Sequence, residues 1–220
     1  MRRDVVGLTA EEATLISKIV QDTLADIDEM SDQKFESMLG LSKQSFVEYA
    51  EEMTILEAQC TALVGEPEPD FSAHTLNADG SISSDQFSLL SMRGKPTALI
   101  FGCYTCPIFR RQTERMNELI SEYSDAVSFV CVYVTEAHPT NGWNTPSNVA
   151  ADIMYQQPES LSDRAKIAHD WRKACALASP IVLDWPDNRI NQDYCGSPEQ
   201  LFVLDAEGVV TFKSGQGDRK

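Results

Sequence analysis

The sequence has little positive charge. Its 220 residues contain 18 lysines and arginines against 34 aspartates and glutamates, which gives a formal net charge of −16 at pH 7. Nucleic acids and anionic lipid surfaces attract proteins through Lys and Arg, because these side chains neutralise phosphate. We therefore expect neither a nucleic acid nor a membrane surface among the partners of this chain.

Long hydrophobic runs are also absent. The clearest apolar segments, residues 97–102 and 127–134, are far shorter than the ~18 residues that span a bilayer. The first residues include two arginines but no apolar stretch followed by small residues, which a secretory signal requires. We expect no membrane span and a cytoplasmic location.

Cysteine and histidine are too scarce for two kinds of site. Six cysteines in a chain of this length are too few for a disulfide scaffold. A zinc site would need further ligands at suitable spacing, but the chain has a single C-x-x-C pair and three histidines. We expect no bound metal.

The N-terminal part of the chain has a helical pattern. Thr9 and Glu12 form a capping box, and apolar residues then recur at helical spacing as far as Ile27. A short helix is predicted over residues 32–39 and a longer one over residues 42–63. These predicted helices are amphipathic, so the apolar side of each must pack against another part of the protein or against a partner.

A linker with two prolines, residues 65–70, follows the helical pattern. We predict a helical N-terminal region over residues 1–63 and a second domain over residues 64–220. The apolar sides of the helices would pack on the second domain or, alternatively, serve as a dimerisation arm in a homodimer.

Beyond the linker, strand patterns alternate with helix patterns. Helices are predicted over residues 107–123 and 162–178. The predicted strands, of which the last two form a hairpin, cover residues 71–76, 97–101, 127–134, 181–184, 201–204 and 209–212. This order predicts an α/β fold with a central mixed sheet flanked by helices.

Cys103 and Cys106 lie where a predicted buried strand gives way to a predicted helix. Pro107 suits the first turn of that helix, and Arg110 and Arg111 add positive charge one turn later. The thiolate is the reactive form of cysteine, and the unpaired N–H groups at a helix N-terminus stabilise it. We therefore predict a redox-active C-x-x-C motif in which Cys106 is the nucleophile and has a lowered pKa.

Several segments of the second predicted domain are more specific than the C-x-x-C pair alone. They are residues 103–109 (C-Y-T-C-P-I-F), 136–143 (E-A-H-P-T-N-G-W), 160–164 (S-L-S-D-R) and 182–184 (V-L-D). Together they resemble the iodothyronine deiodinase family, whose animal members carry selenocysteine at the position of Cys106. The resemblance covers about residues 64–217 and implies a thioredoxin-like fold.

The resemblance also implies roles for individual residues. Cys106 would attack or reduce the substrate, while Glu136 and His138 would form a proton path in which Glu136 tunes the pKa of the histidine. The segment with both residues follows the predicted strand 127–134, and the carboxyl ends of parallel strands meet at one crevice. Cys103 is the candidate resolving thiol, which would convert a sulfenyl adduct of Cys106 into a disulfide.

The expected substrate is a small halogenated aromatic or a related electrophile. Where the family has a histidine ahead of the S-L-x-D-R segment, this chain has Pro158 and Glu159, and Gln216 replaces a basic residue in the terminal glycine turn. In the family, both positions are associated with binding of an iodothyronine, so thyroid hormone itself is not the expected substrate. The candidate substrate-binding residues are Thr105, Pro107, Trp143 and Pro198, the last by resemblance to the cis-proline of thioredoxin folds. Trp143, Trp185 and Tyr194 are equally well explained as crevice-lining or as packing aromatics.

The resemblance implies a thiol-dependent oxidoreductase that needs no bound cofactor, because an external thiol such as thioredoxin or glutathione supplies the electrons. One alternative is a general thiol-disulfide oxidoreductase or a peroxiredoxin-like peroxidase. Typical peroxiredoxins place threonine or serine, and proline, at positions that are Cys103 and Leu99 here, which disfavours the peroxidase. Another alternative is a redox-sensing interaction module without turnover.

Overall fold

The structure is a computed structural model that describes residues 30–215. The chain divides into two compact units, of which the first ends at Gln59 and the second begins at Cys60. The predicted capping box at Thr9 and the apolar residues up to Ile27 lie outside the described residues. The predicted boundary between residues 63 and 64 is a statement about which segments fold independently, and it stays a prediction.

Two helices form the described part of the first unit. Helix α1 spans Asp32–Leu39 and helix α2 spans Lys43–Ala58. Each begins after a serine whose side chain accepts a backbone N–H of the first turn, which satisfies one otherwise unpaired donor. Helix α2 ends before Cys60 and Leu63, so the prediction that these two residues continue its apolar side is wrong.

A mixed seven-stranded sheet forms the centre of the second unit within the described residues. Its strands are β1 (Ser72–Leu76), β2 (Ile82–Ser88), β3 (Thr97–Gly102), β4 (Ser128–Tyr133), β5 (Ile181–Leu183), β6 (Glu199–Leu204) and β7 (Val210–Lys213). Their order across the sheet is β2-β1-β5-β4-β3-β6-β7. Strands β3, β4 and β5 are parallel to one another, and the other pairings are antiparallel. The predicted central mixed sheet is confirmed.

Helices connect the strands of this sheet. They are α3 (Pro107–Tyr123), α4 (Pro146–Ala150), α5 (Leu161–Cys175) and α6 (Arg189–Tyr194), with a short 3-10 helix at Leu89–Met92. Helix α3 has the predicted bounds, and α5 ends three residues before the predicted position 178. Between residues 30 and 215, no helix combines the length and the apolar character that a membrane span needs.

Three of these elements have weak sequence signals. Strand β2 lies at the edge of the sheet and is rich in polar residues, so it lacks the apolar alternation of a buried strand. Helices α4 and α6 are only five and six residues long. The start of α6 is held by a carboxylate outside the helix, because Asp184 accepts the N–H groups of Ile190 and Asn191.

Strand β3 occupies an interior position in the sheet, between β4 and β6, and all six of its residues are buried. Helix α3 packs over this region through Phe109, whose ring stacks on Trp171 of α5 with centroids 5.0 Å apart. The segment that joins β3 to α3 therefore starts from the rigid centre of the sheet. This segment contains both cysteines of the C-x-x-C motif.

Candidate active site

Cys106 is the N-cap of helix α3. Its Sγ accepts the backbone N–H of Phe109 at 3.5 Å, and Pro107 occupies the first turn, where its missing N–H removes no helical hydrogen bond. The predicted placement of Cys106 at the start of this helix is confirmed. The side chain thus takes the capping role that serine, threonine or aspartate usually fills.

Burial dominates the chemistry of this thiol in the structure. Cys106 is 1% exposed. Loss of water raises the pKa of the Cys106 thiol to about 11, which outweighs the thiolate-stabilising N–H of Phe109; the negative charge of Glu199 also raises it. The prediction of a lowered pKa is therefore wrong for this conformation, in which Cys106 is a neutral thiol.

Cys103, which lies between the end of β3 and the start of α3, is completely buried. Its Sγ accepts the N–H of Ala137 at 3.2 Å. Burial raises the pKa of the Cys103 thiol well above its usual value, and the charges of Glu136 and Cys106 raise it further. Both cysteines are free thiols, and a backbone hydrogen bond of 3.4 Å from the N–H of Cys106 to the carbonyl of Cys103 joins the two residues.

Glu136 holds the C-x-x-C loop through Thr105. One carboxylate oxygen accepts both the backbone N–H of Thr105, at 3.0 Å, and its hydroxyl, at 2.7 Å. The other oxygen accepts the Tyr133 hydroxyl at 2.6 Å, and that hydroxyl in turn accepts the N–H of Tyr104 at 2.9 Å. Burial raises the pKa of Glu136, whereas these hydrogen bonds oppose the shift. The carboxylate joins the end of β4 to the loop after β3.

His138 lies against the same threonine, because its backbone N–H donates to the Thr105 hydroxyl oxygen at 3.0 Å. Its ring meets Trp143 edge to face, with centroids 4.4 Å apart. Burial lowers the pKa of His138 to about 4, with a hydrogen bond to the Trp143 backbone opposing the shift and the charge of Arg110 adding to it. The expectation that Glu136 tunes this pKa is wrong, since both carboxylate oxygens face Thr105 and Tyr133.

The imidazole of His138 is therefore neutral at physiological pH. Its Nδ1 is buried and has no hydrogen-bond partner among the described residues. The unpaired Nδ1 is the open proton-accepting position of the ring, and burial makes it a weaker base than the nitrogen of an exposed histidine.

A family model described as iodothyronine deiodinase matches residues 11–220. The chain belongs to the iodothyronine deiodinase family. The match extends into the helical N-terminal region, so the expectation that the likeness is confined to residues 64–217 is wrong.

Curated members of the deiodinase family are similar to this chain over part of their length. A thyroxine 5-deiodinase of Gallus gallus is 31% identical over 160 residues, which cover 71% of this chain and 58% of that protein. A type II iodothyronine deiodinase of Sus scrofa is 26% identical over 179 residues, covering 74% of this chain and 66% of that protein. The chain thus spans less than two thirds of the length of these relatives.

Solved structures resemble the fold of this deiodinase-family chain. An uncharacterized conserved protein from Geobacillus kaustophilus has a TM-score of 0.51 at 14% identity and covers 72% of each chain. The thioredoxin domain of a thiol-disulfide oxidoreductase from Bacteroides vulgatus has a TM-score of 0.49 at 17% identity, covering 71% of this chain and 91% of that one. The mixed sheet of the described residues, the C-x-x-C motif at the start of α3 and the cis peptide bond before Pro198 make this fold thioredoxin-like, as predicted.

The predicted substrate-binding residues of this deiodinase-family chain have different positions. Thr105 is completely buried, and its amide and hydroxyl are both engaged with Glu136, so it holds the loop rather than offering a contact surface. Pro107, Trp143 and Pro198 are partly buried, and the Ser197–Pro198 peptide bond is cis. Of these three, Trp143 directly contacts a second predicted site residue, His138.

The two other candidate aromatics have structural contacts. Tyr194 is completely buried against Phe101 and Phe202, so it belongs to the core. The Trp185 indole donates to the carbonyl of Ser72.

Among residues 30–215, no three His, Cys, Asp or Glu side chains converge as metal ligands.

Sequence reasoning missed three residues that support the site. Tyr133 anchors Glu136, and the Gln157 side chain binds the backbone N–H and carbonyl of Glu136 at 2.9 and 3.0 Å. Asn148 donates to the carbonyl of Thr105 at 2.8 Å. Gln157 and Asn148 have no sequence signal, because they bind backbone groups 21 and 43 residues away in the chain. Tyr133 is only three residues from Glu136, but in the sequence it reads as one more residue of a buried strand.

Proposed function

We propose that this chain is a thiol-dependent reductase that removes halogen from a small aromatic substrate, with Cys106 as the nucleophile. Membership of the deiodinase family supports the reaction class. The observation that carries the proposal is the position of Cys106 at the start of α3, where its sulfur accepts the N–H of Phe109 and its own N–H donates to the carbonyl of Cys103. Such a position stabilises negative charge as the sulfur reacts.

The proposed reaction consumes one aryl halide and two thiol groups. The Cys106 sulfur takes the halogen as the carbon–halogen bond breaks, and the ring carbon takes the proton that the thiol loses. The products are the dehalogenated arene and a sulfenyl halide on Cys106. Cys103 then loses its proton and attacks that sulfur, which forms a disulfide and releases the halide and the proton as hydrogen halide. Two external thiol groups, from two monothiols or one dithiol, then reduce this disulfide and become a disulfide themselves, so they supply the two electrons and two protons.

His138 is the proposed carrier of the proton. Its ring is neutral, and Nδ1 has no partner among the described residues. Because burial makes the imidazole a weak base, it would pass the proton from Cys106 to the carbon of the substrate in one step, without a stable imidazolium. Glu136 has a different proposed role from the one implied by the resemblance. Because its carboxylate binds Thr105 and Tyr133, it fixes the loop that carries both cysteines.

Access to the sulfur is part of the proposed mechanism. Since Cys106 is 1% exposed, a substrate reaches Sγ only after the side chains that cover it have moved. Trp143, Pro107 and Pro198 are the proposed contacts for the substrate ring, because each is partly exposed. Substrate binding would then exclude water again, which strengthens the interactions between the thiol, the helix start and His138.

The proposed partners are a small aromatic halide and a thiol reductant such as thioredoxin or glutathione. The cytoplasm is the proposed location, because its reducing thiol pool would reopen the disulfide between Cys103 and Cys106. Thyroid hormone remains outside the proposal, since Pro158 and Glu159 stand where the family has a histidine and Gln216 stands where it has a basic residue. A homodimer formed through the N-terminal helices stays a proposal as well.

Iodide release from 2,6-diiodophenol, with dithiothreitol as reductant, tests the function. The wild-type chain should release iodide, and Cys106→Ser should reduce the rate to that of the solution without protein. Cys175→Ser is the matched control, because this partly buried cysteine lies at the end of α5 and should leave the rate unchanged. Equal rates for Cys106→Ser and the wild type would refute the proposal.

A second candidate function is general thiol-disulfide exchange, which is favoured by two free thiols at C-x-x-C spacing whose backbones are joined by a hydrogen bond. Reduction of insulin disulfides by the same variants distinguishes it. Insulin reduction without iodide release would assign this second function, and peroxide consumption alone would assign a peroxidase. Binding of a partner that survives Cys106→Ser, without any turnover, would assign the redox-sensing module.

A further inference from the structure

Asn148 is a completely buried polar residue on the short helix α4. Its backbone N–H is paired with the Thr145 hydroxyl, which caps this helix, and this bond orients the start of α4. The side-chain Nδ2 donates to the carbonyl oxygen of Thr105 at 2.8 Å. Thr105 directly precedes Cys106, so the bond is made to the peptide group that carries the nucleophile.

That peptide group is held on both of its polar sides. The carbonyl of Thr105 accepts from Asn148, and the N–H of Cys106 donates to the carbonyl of Cys103 at 3.4 Å. The remaining polar groups of Thr105, its N–H and its hydroxyl, are bound by Glu136. Asn148 therefore supplies the donor for the one polar group of Thr105 that Glu136 does not reach.

The orientation of the Asn148 amide has a cost. Its Oδ1 is buried without a hydrogen-bond partner among the described residues, although a buried acceptor is normally paired. The reverse orientation would place Oδ1 against the Thr105 carbonyl, and two acceptors repel at that distance. The amide is thus oriented to satisfy Thr105 at the expense of its own oxygen.

We propose that Asn148 is a positioning residue for Cys106, which acts by fixing the Thr105–Cys106 peptide plane. The proposal rests on the role of Cys106 in the proposed function. Without the Asn148 donor, the Thr105 carbonyl would be buried and unpaired, so the peptide would rotate to find another partner. Rotation of this plane moves the Cys106 sulfur away from the N–H of Phe109, which stabilises the thiolate during reaction.

The test measures alkylation of Cys106 by iodoacetamide, followed by mass spectrometry of the peptide that contains it. Asn148→Ala should slow alkylation by about tenfold, because the carbonyl of Thr105 loses its donor. In the iodide-release assay the same variant should lower kcat and leave KM unchanged, since Asn148 does not face the substrate. Val149→Ala is the control: this neighbour on α4 is 57% exposed and should behave as the wild type.

Asn148→Asp provides a second, nearly isosteric variant. When the introduced carboxyl is protonated, its O–H can donate to the Thr105 carbonyl, and when it is ionised it repels that oxygen. The alkylation rate relative to wild type should therefore fall as pH rises. Glu136, His138 and Arg110 also lie near this segment, but they are present in both proteins and their titration cancels in the ratio.

The outcomes separate the inference from the proposed function. Alkylation of Cys106 that stays within twofold of wild type in Asn148→Ala would overturn the inference, as would equal losses in Asn148→Ala and Val149→Ala. If Asn148→Ala does not fold, a pH-independent ratio for Asn148→Asp overturns it. Alkylation reports the position of the sulfur without turnover, so failure of iodide release would refute the proposed function and leave this result intact.

Discussion

At the residue scale, two opposing effects act on the sulfur of Cys106. The N–H of Phe109 at the start of α3 favours a thiolate, whereas burial removes the water that would solvate the charge. Burial is the larger effect and raises the pKa of this thiol to about 11. Reactivity at Cys106 therefore needs access to the sulfur, together with the N–H of Phe109, which stabilises the charge as the sulfur reacts.

His138 leads to a prediction about pH and stability. Burial lowers its pKa from 6.5 to about 4, so the unfolded chain binds more protons than the folded chain between these values. Stability should therefore fall as pH decreases from about 6.5 to about 4, by up to about 3 kcal/mol from this residue alone. Urea unfolding of the wild type and of His138→Asn across this pH range measures the effect.

In this experiment the free energy of unfolding of the wild type should decline relative to the variant toward pH 4. Glu136, whose raised pKa has the opposite effect on stability, is present in both proteins and cancels in the comparison. Parallel stability curves would mean that His138 is not buried in its neutral form.

At the element scale, the junction between β3 and α3 positions both cysteines. Gly102 ends the strand directly against the Phe109 ring, and a Cβ at Gly102 would overlap that ring. The Phe109 ring has little room to move away from such a Cβ, because it is completely buried and stacks on Trp171. This close approach allows the helix to start only a few residues after the strand, with Cys106 as its cap.

We predict that Gly102→Ala destabilises the fold by about 1–3 kcal/mol, because the added methyl group must displace a packed ring. The cost should shrink by about 1 kcal/mol or more when Phe109→Leu is already present, since the smaller side chain leaves room. Urea unfolding of the two single variants and the double variant forms a double-mutant cycle. Additive costs would show that the two residues do not press on each other.

At the scale of the whole molecule, the second unit begins at Cys60. The N–H groups of Thr61 and Ala62 both donate to the carbonyl of Asp193, at 2.9 and 3.0 Å, and Ala62 is completely buried. Residues 60–62 therefore belong to the second unit by their hydrogen bonds and their burial.

This arrangement predicts how two shortened chains behave. A chain of residues 60–220 should unfold cooperatively, and a chain of residues 64–220 should be less stable by about 2 kcal/mol, because it loses two hydrogen bonds and the burial of Ala62. Denaturant unfolding of both chains measures the difference. Equal stability would support the boundary at 63/64, and failure of residues 60–220 to fold would contradict the two-domain organisation.

The sequence by itself determined the local features of this protein. An apolar run, a C-x-x-C pair, a proline and a helical pattern were sufficient to predict β3, α3 and the N-cap position of Cys106, because neighbours in the chain decide these features. The resemblance of short segments added the family and the thioredoxin-like fold.

Only the tertiary structure decided the state of the site. The contacts of Thr105 with Glu136 and with Asn148 join residues 31 and 43 positions apart, so no local pattern encodes them. Burial likewise results from the packing of several elements, and it reversed the predicted direction of the Cys106 pKa shift. Chain neighbours decide where a helix begins, whereas distant segments decide how much water reaches its first residue.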